Sequence, residues 1–303
     1  MVECLEVNMI KATYIDHMGT DLTVANAARV SFGKKSEWAY LDWRHSTMHP
    51  QKKILSDRDT KLIRYLAEHK HISPFGHCFA SFHVKAPVFV ARQLVKHKFL
   101  RWNEISRRYV DSEPEFYEPD VWRGRSEDKK QGSDGVLKLD KMYAYGEYKH
   151  IKDVFEKEPE KYGVYTNDTV PDVSILDEVH ECEEDVRSIY KKLIAAGVAP
   201  EQARMVLPQS TMTEWYWSGS LDAFADMCNL RLASDTQEET RQVAQQISVK
   251  MSNLFPVSWA ALVKHQPVNK EIRPMTNEER SRATEKRELN QAWYDGDGAE
   301  LFS

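Results

Sequence analysis

Apolar and polar positions along the amino-terminal third of the chain alternate first with a period of two and then at helical spacing. "LEVNMIKATYI" (residues 5–15) has strand character, and in "DTKLIRYLAEHK" the residues Leu62, Ile63, Leu66 and Ala67 recur at helical spacing. In "HCFASFHVKAP", Ala80, Phe82, Val84 and Ala86 fill every second position, which predicts a half-buried strand. Pro87 suits the first turn of a helix. "VFVARQLVKHKFL" continues as that helix, with Val88, Phe89, Ala91, Val95 and Phe99 apolar and Arg92 and Lys96 stacked at i and i+4. Further on, Val179, Cys182, Val186, Ile189, Leu193 and Ile194 form a helical stripe that ends at Gly197. "PEQARMVL", "SLDAFADMCNLRLAS" with Ser220 as N-cap, and "ETRQVAQQISVKMSNLF" predict three more helices.

Between Arg123 and Ser174 the pattern weakens. "RGRSEDKKQGSDG" and "EKEPEKYGVYTNDTVPDVS" are polar and rich in Gly, Pro, Asp and Lys, so residues 123–174 read as an insertion with one short helix near "LDKMYAYGEYKHIKDVF". The expected organisation is one domain over 1–270 carrying that insertion, followed by a charged tail over 271–303. No internal repeat is evident. The chain has 303 residues, and its net charge of -5 argues against a general nucleic-acid coat, whose affinity rests on many Lys and Arg contacts to phosphate. Four scattered cysteines without metal-ligand spacing read as reduced thiols. The amino terminus has no apolar signal region and no stretch has the length of a membrane span, so a cytoplasmic protein with no membrane partner is expected.

Against this acidic background, "KHKFLRWNEISRRY" (residues 96–109) packs six basic residues around a single carboxylate. A solvated helix face is the plain reading of such a run. Three details point to an anion instead. The helical pattern breaks at "WNEISRRY", so Ser106 and nearby main-chain amides are free to face a ligand. Arg107 and Arg108 are adjacent and therefore point in different directions, and Glu104 stands among the cations, where it can accept from a sugar hydroxyl. A forked guanidinium matches phosphate bidentately, which suits one compact phosphate-bearing ligand better than a long polyanion.

The same residues carry a resemblance. "FHVKAPVFVARQLVKHKFLRWNEISRRYVDSEPEFYEP" resembles the core of the flavin-dependent thymidylate synthases (the ThyX family), whose signature is Arg-His-Arg, two residues and Ser, then "NExSxRY". Here Lys96-His97-Lys98 precede Arg101, followed by Asn103-Glu104-Ile105-Ser106-Arg107-Arg108-Tyr109. "HISPFGH" upstream, "ARMVLPQSTMTEWYW" and "NLRLASDTQEETRQVA" downstream match in order, so the likeness runs from about Tyr14 to Pro267, apart from the insertion over 123–174 and the tail.

The resemblance implies an α+β fold, a mixed arrangement of helices around an antiparallel-rich sheet, assembled as a homotetramer with active sites shared between subunits. It also implies reductive methylation of dUMP to dTMP, with methylenetetrahydrofolate as carbon donor, FAD as the flavin and NADPH as its reductant. Transferred by position, Gln93, Glu104, Ser106, Arg108, Arg204 and Arg231 fall on dUMP-contacting positions, with Arg204 the expected catalytic cation. His71, Ser73, Lys96, His97, Lys98 and Glu104 fall on or beside flavin-contacting positions. Lys96 and Lys98 replace arginines, Arg101 replaces a serine, and Gly76, Ser220, Asp222, Asp226 and Asp235 stand where relatives hold the flavin with other groups. Two rivals stay open: an enzyme of this type that transfers another one-carbon group or takes another pyrimidine nucleotide, and a non-catalytic nucleotide- or RNA-binding protein.

Other constellations have plainer readings. His69, His71 and His77 suit no common zinc spacing, so no metal is expected. Trp215, Tyr216 and Trp217 read as core or subunit interface. Cys78 lacks the Pro-Cys-His setting of thiol-dependent thymidylate synthases, and Ser106 has no His/Asp relay beside it, which assigns it to phosphate binding.

Overall fold

A computed structural model describes residues 10–40, 53–125, 132–137 and 175–264. The expected short helix of the insertion and the charged tail lie outside them. Four strands form an antiparallel sheet in the order β1 (Lys11–Met18), β4 (Phe79–Pro87), β8 (Met212–Ser220) and β5 (Leu100–Glu104). Two small pairs flank it, β2 (Ala39–Tyr40) with β3 (Lys53–Ile54), and β6 (Trp122–Arg125) with β7 (Ser133–Leu137).

The alternation predicted for β4 is present: Ala80, Phe82, Val84 and Ala86 are all buried, and they face the core beside Trp215 and Trp217 of β8. Trp102 of β5 stacks on Trp215 with ring centroids 4.3 Å apart. Tyr216, between the two buried tryptophans, faces outward. The other wall of the core comes from helices α6 (Leu221–Arg231) and α7 (Glu238–Leu254), through Phe224, Val243, Ala244, Ile247 and Met251. Two buried carboxylates are satisfied within this framework. Asp21, in α1 (Asp21–Arg29), accepts from the amides of Val257 and Ser258, each at 2.9 Å, at the start of α8 (Pro256–Leu262), where a helix amino terminus favours negative charge. Asp59, in α2 (Asp57–Glu68), accepts from Arg29, Ser36 and Ser56.

Two expectations from periodicity change. The helix after Pro87 is short: α3 (Val88–Leu94) stops before Val95, Val95 and Phe99 are exposed, and Phe99 takes φ 64° before β5 begins. Residues 200–206 form one helical turn, α5 (Pro200–Ala203), followed by a 3-10 turn over Arg204–Val206. The predicted stripe helix is α4 (Ile175–Ala195), which buries Tyr190. Both central strands run into helices without a loop, β4 into α3 and β8 into α6 at Ser220. Ser220 stands at the N-cap position with extended backbone, although its side chain makes no capping bond.

Candidate active site

The carboxyl ends of α3 and α6 meet. Arg231, in the last turn of α6, donates from Nη2 to the main-chain oxygen of Gln93 at 3.2 Å and from Nε to His97 Nε2 at 3.0 Å. A cation there complements the negative end of the helix. Gln93 Nε2 in turn donates to Gln237 Oε1 at 2.5 Å. Burial and the neighbouring Arg231 hold His97 well below the ordinary imidazole range, at about 4. It is therefore neutral at physiological pH, and Nε2 is free to accept.

Beside this cluster lies a cavity of 990 Å³ lined by Gln93, Lys96, Arg231 and Gln237, with Phe89, Tyr117 and Trp122 as aromatic walls. Arg123, Ser133, Asp235 and Glu239 also face it. Burial, reinforced by the Glu239 carboxylate, pushes the Tyr117 phenol up to about 12, which keeps it a neutral hydrogen-bonding group. Flat apolar walls with several cations and amides suit a planar heterocycle bearing phosphate.

A second cavity, of 410 Å³, is lined by Glu104, Arg107, Arg204 and Thr213 among others. Glu104 accepts from Thr213 Oγ1 at 2.7 Å and from Trp102 Nε1 at 3.1 Å, so its carboxylate is fixed from both sides. Arg204 donates to the carbonyl of Glu201 at 3.2 Å and leaves the rest of its fork exposed. As expected for neighbours, Arg107 and Arg108 diverge. Arg107 donates to the carbonyl of Ser112 at 2.8 Å, whereas Arg108 donates to Ser106 Oγ at 3.1 Å.

Within one chain the sequence-predicted residues therefore form three groups. Gln93, Lys96, His97 and Arg231 gather at the large cavity, and Glu104 and Arg204 line the smaller one, with the Ser106–Arg108 pair next in the chain. His71, edge-on to Tyr65 with centroids 6.2 Å apart, and Ser73, at the head of the 3-10 turn Ser73–His77, line neither. Lys98 lines neither as well. Sequence reasoning missed Phe89, Tyr117, Trp122 and Arg123 as cavity residues. For Tyr117, Trp122 and Arg123 the signal was the aromatic and basic content of "EFYEPDVWR", whereas Phe89 was read only as an apolar position of the helix after Pro87.

The departures at the expected flavin positions differ in consequence. Asp235 joins Lys96 in the large cavity. Asp222 and Asp226 lie one helical turn apart, and burial together with Asp222 raises the Asp226 carboxyl. Gly76 faces the same place, since a Cβ there would sit 3.9 Å from Asp222 Oδ1. Among the described residues no group of three His, Cys, Asp or Glu is arranged to hold a metal ion, and no helix is long and apolar enough to cross a membrane.

Comparison with known proteins agrees with this architecture. A crystal structure of a UMP/dUMP methylase from Streptomyces cacaoi bound with 5-Br dUMP superposes with a TM-score of 0.62 at 26% identity, covering 86% of this chain and 98% of that one. Flavin-dependent thymidylate synthases of Thermus thermophilus and Thermosipho africanus are each 34% identical, over 83% and 82% of this chain and 74% and 89% of theirs. The family model described as thymidylate synthase complementing protein matches residues 13–257. With that match running through every strand of the main sheet from β4 onward and through both helices that meet at Arg231, the chain belongs to the thymidylate synthase complementing protein family, the flavin-dependent thymidylate synthases.

Proposed function

We propose that the protein is a flavin-dependent thymidylate synthase that methylates C5 of dUMP to give dTMP. The observation that carries this reading is the joint of α3 and α6, where Gln93, Arg231 and Gln237 are pre-aligned at the mouth of an aromatic-walled, cation-lined cavity. Making C5 of uracil nucleophilic moves electron density onto the ring and its carbonyl oxygens. Donors fixed in advance stabilise that charge without reorganising, an effect of roughly 3–4 kcal/mol per donor. Arg231 is held by His97 and by the Gln93 carbonyl, so its remaining N–H groups are aimed before a ligand arrives.

The aromatic walls and Lys96 fit a flavin, and FAD is assigned to the large cavity on that ground. When bound, its reduced form supplies the hydride that completes the methyl group. Lys96 and the aromatic walls hold the ring system, while His71, Ser73 and Lys98 are assigned to the remainder of the cofactor through their positions in the family pattern. NADPH as reductant and methylenetetrahydrofolate as carbon donor complete the proposed reaction. The two buried thiols, Cys78 and Cys228, support a route that does not pass through either of them, whereas Cys182 is exposed. Burial pushes Cys78 up to about 12 and raises Cys228 as well, and neither lines a described cavity.

The proposed site is completed by a second copy of the chain. Arg204 and Arg231 line different cavities of one subunit. A neighbour that sets its Arg204 and Ser106–Arg108 surface against the large cavity would unite all the proposed dUMP contacts, which supports a homotetramer with shared sites. A second reading, in which UMP is also accepted, draws on the superposed structure, whose protein is described as a UMP/dUMP methylase.

Incubating the purified protein with dUMP, methylenetetrahydrofolate and NADPH, and weighing the nucleotide, tests the proposal. A mass gain of one methylene and a yellow protein are expected. A colourless protein that yields no product, and whose RNA affinity falls steeply with salt, would favour the non-catalytic alternative. Running UMP beside dUMP separates the two substrate readings.

A further inference from the structure

The strand pair β6–β7 opens the polar insertion, and a surface hairpin would be its default reading. Its position is different. Trp122 and Arg123 of β6 and Ser133 of β7 line the large cavity together with Gln93 and Arg231 of the joint of α3 and α6. Three contacts tie the pair down. Arg123 Nη2 donates to Glu239 Oε1 in an ion pair whose carboxylate side chain is only 4% exposed. Arg123 Nε donates to Ser133 Oγ at 3.0 Å, which joins the two strands of the pair side chain to side chain. Gly132, at φ 94°, lies so close to the Asp235 backbone that a Cβ would come to 3.3 Å from the Asp235 carbonyl oxygen.

Glu239 makes this arrangement more than decoration. It stands in the first turn of α7, two residues beyond the Gln237 that holds Gln93, and it is buried at the cavity wall. A buried carboxylate is costly unless a cation reaches it, and removing one partner of such a pair leaves the other charge uncompensated. Among the described residues, Arg123 is the only cation in an ion pair with it. The guanidinium therefore serves two elements at once: it neutralises α7 at the point where the Gln237–Gln93 contact begins, and it holds β6–β7 at the cavity wall.

We propose that Arg123 is a positioning residue: through Glu239 and Ser133 it fixes β6–β7 as a wall of the large cavity and so sets how tightly that cavity holds a pyrimidine nucleotide. This rests on the proposed function, in which dUMP binds beside the flavin in the large cavity. It assigns the start of the insertion to substrate retention, acting through α7 and not by direct contact with the reacting atoms.

The test uses the full chain with flavin bound, comparing Arg123→Ala, Arg123→Lys and Glu239→Gln with the parent protein. Two readouts are taken: dUMP titration together with steady-state kinetics, and hydrogen exchange of amides 122–125 and 133–137. Arg123→Ala should raise the Kd and KM for dUMP at least tenfold while lowering kcat by a smaller factor, and the strand-pair amides should exchange faster. Arg123→Lys keeps the charge and loses the fork, so it should fall between. Glu239→Gln removes the buried charge and keeps the shape; it should fold even if Arg123→Ala does not, and should raise Kd severalfold. The inference is overturned if these variants bind dUMP within twofold of the parent, or if the amides of Arg123→Ala stay fully protected. Parent protein that binds no dUMP would instead overturn the nucleotide reading of the cavity itself, an outcome the titration shows before any variant is made.

Discussion

His97 offers a direct measure of how tightly the candidate site is built. Its imidazole accepts from Arg231 Nε and packs edge-on to Trp217, with centroids 6.5 Å apart. Protonation in the folded state would destroy the acceptor and place two positive charges together, and burial adds to that cost, hence the value near 4. In the unfolded chain the group titrates near 6.5. The folded value is the lower one, so the unfolded state binds the proton more readily. Stability is complete above pH 6.5, declines as pH falls through the interval down to about 4, and then levels off. Linkage between those two values gives a loss of about 2 kcal/mol between pH 8 and pH 5, rising to about 3 kcal/mol below pH 4. Urea unfolding of the parent and of His97→Asn, at equal protein concentration and at pH 8 and 5, measures the difference. Carboxylates titrate alike in both proteins and cancel, whereas asparagine can still accept from Arg231 but cannot be protonated. The variant should therefore lose about 2 kcal/mol less than the parent on acidification. Equal losses would show that His97 is protonated as easily in the fold as outside it, and the account of a neutral acceptor fixing Arg231 would be wrong.

Three other outcomes are expected. Arg204→Ala and Arg231→Ala should each abolish turnover while the chain still folds, and a mixed population of the two, dissociated and reassembled, should regain activity; a mixture that stays inactive while forming hybrid oligomers rules out sites shared between subunits. Arg29→Ala leaves buried Asp59 without the cation at 2.5 Å and should cost roughly 3–5 kcal/mol by thermal or urea unfolding. Burial alone would raise the Asp59 carboxyl, yet bonds from Ser56, Arg29 and Ser36 hold it below its ordinary value, so that contribution is present above the usual carboxylate range and is lost in acid; a variant as stable as the parent at pH 7 would refute it. Gly219→Ala would press a methyl to 2.4 Å from Leu100 Cδ2 and 3.0 Å from the Phe99 carbonyl, so about 1–3 kcal/mol should be lost, and an unchanged unfolding midpoint would contradict the close approach of β5 to β8.

Much of the scaffold was legible in the residues. Strict alternation exposed β4, and helical spacing exposed α2, α6 and α7, because each buries a face against a single core; it also exposed α4, which buries only Tyr190, outside that core, and leaves Cys182 and Ile189 of the expected stripe exposed. β5 was hidden because "LRWNE" is short, largely polar and at the sheet edge, where only one face meets the core. Val95 and Phe99 prolong the helix that periodicity predicts after Pro87, although both face solvent, since a pattern counts apolar residues without knowing which are covered. The cations were visible as a run, but their division between two cavities was not: it follows from the β5–β8 register, which carries Glu104 to Trp215 and away from the α3–α6 joint. Arg123 was unreadable for a similar reason. Its partner lies 116 positions along the chain, and only the tertiary fold makes Glu239 a buried charge in need of one.

The absence of connecting loops at Pro87 and Ser220 has an effect reaching past the core. Because α3 and α6 are extensions of paired neighbouring strands, the span from Gln93 to Arg231 is calibrated by the rungs between β4 and β8, from Phe79 opposite Ser220 to Pro87 opposite Met212. A shift of that ladder by one rung would carry the two helices in opposite directions and part the groups by several ångströms. Sheet residues remote from any ligand thus act as the ruler of the chemistry, and damage to the ladder should surface as poor turnover well before it surfaces as unfolding.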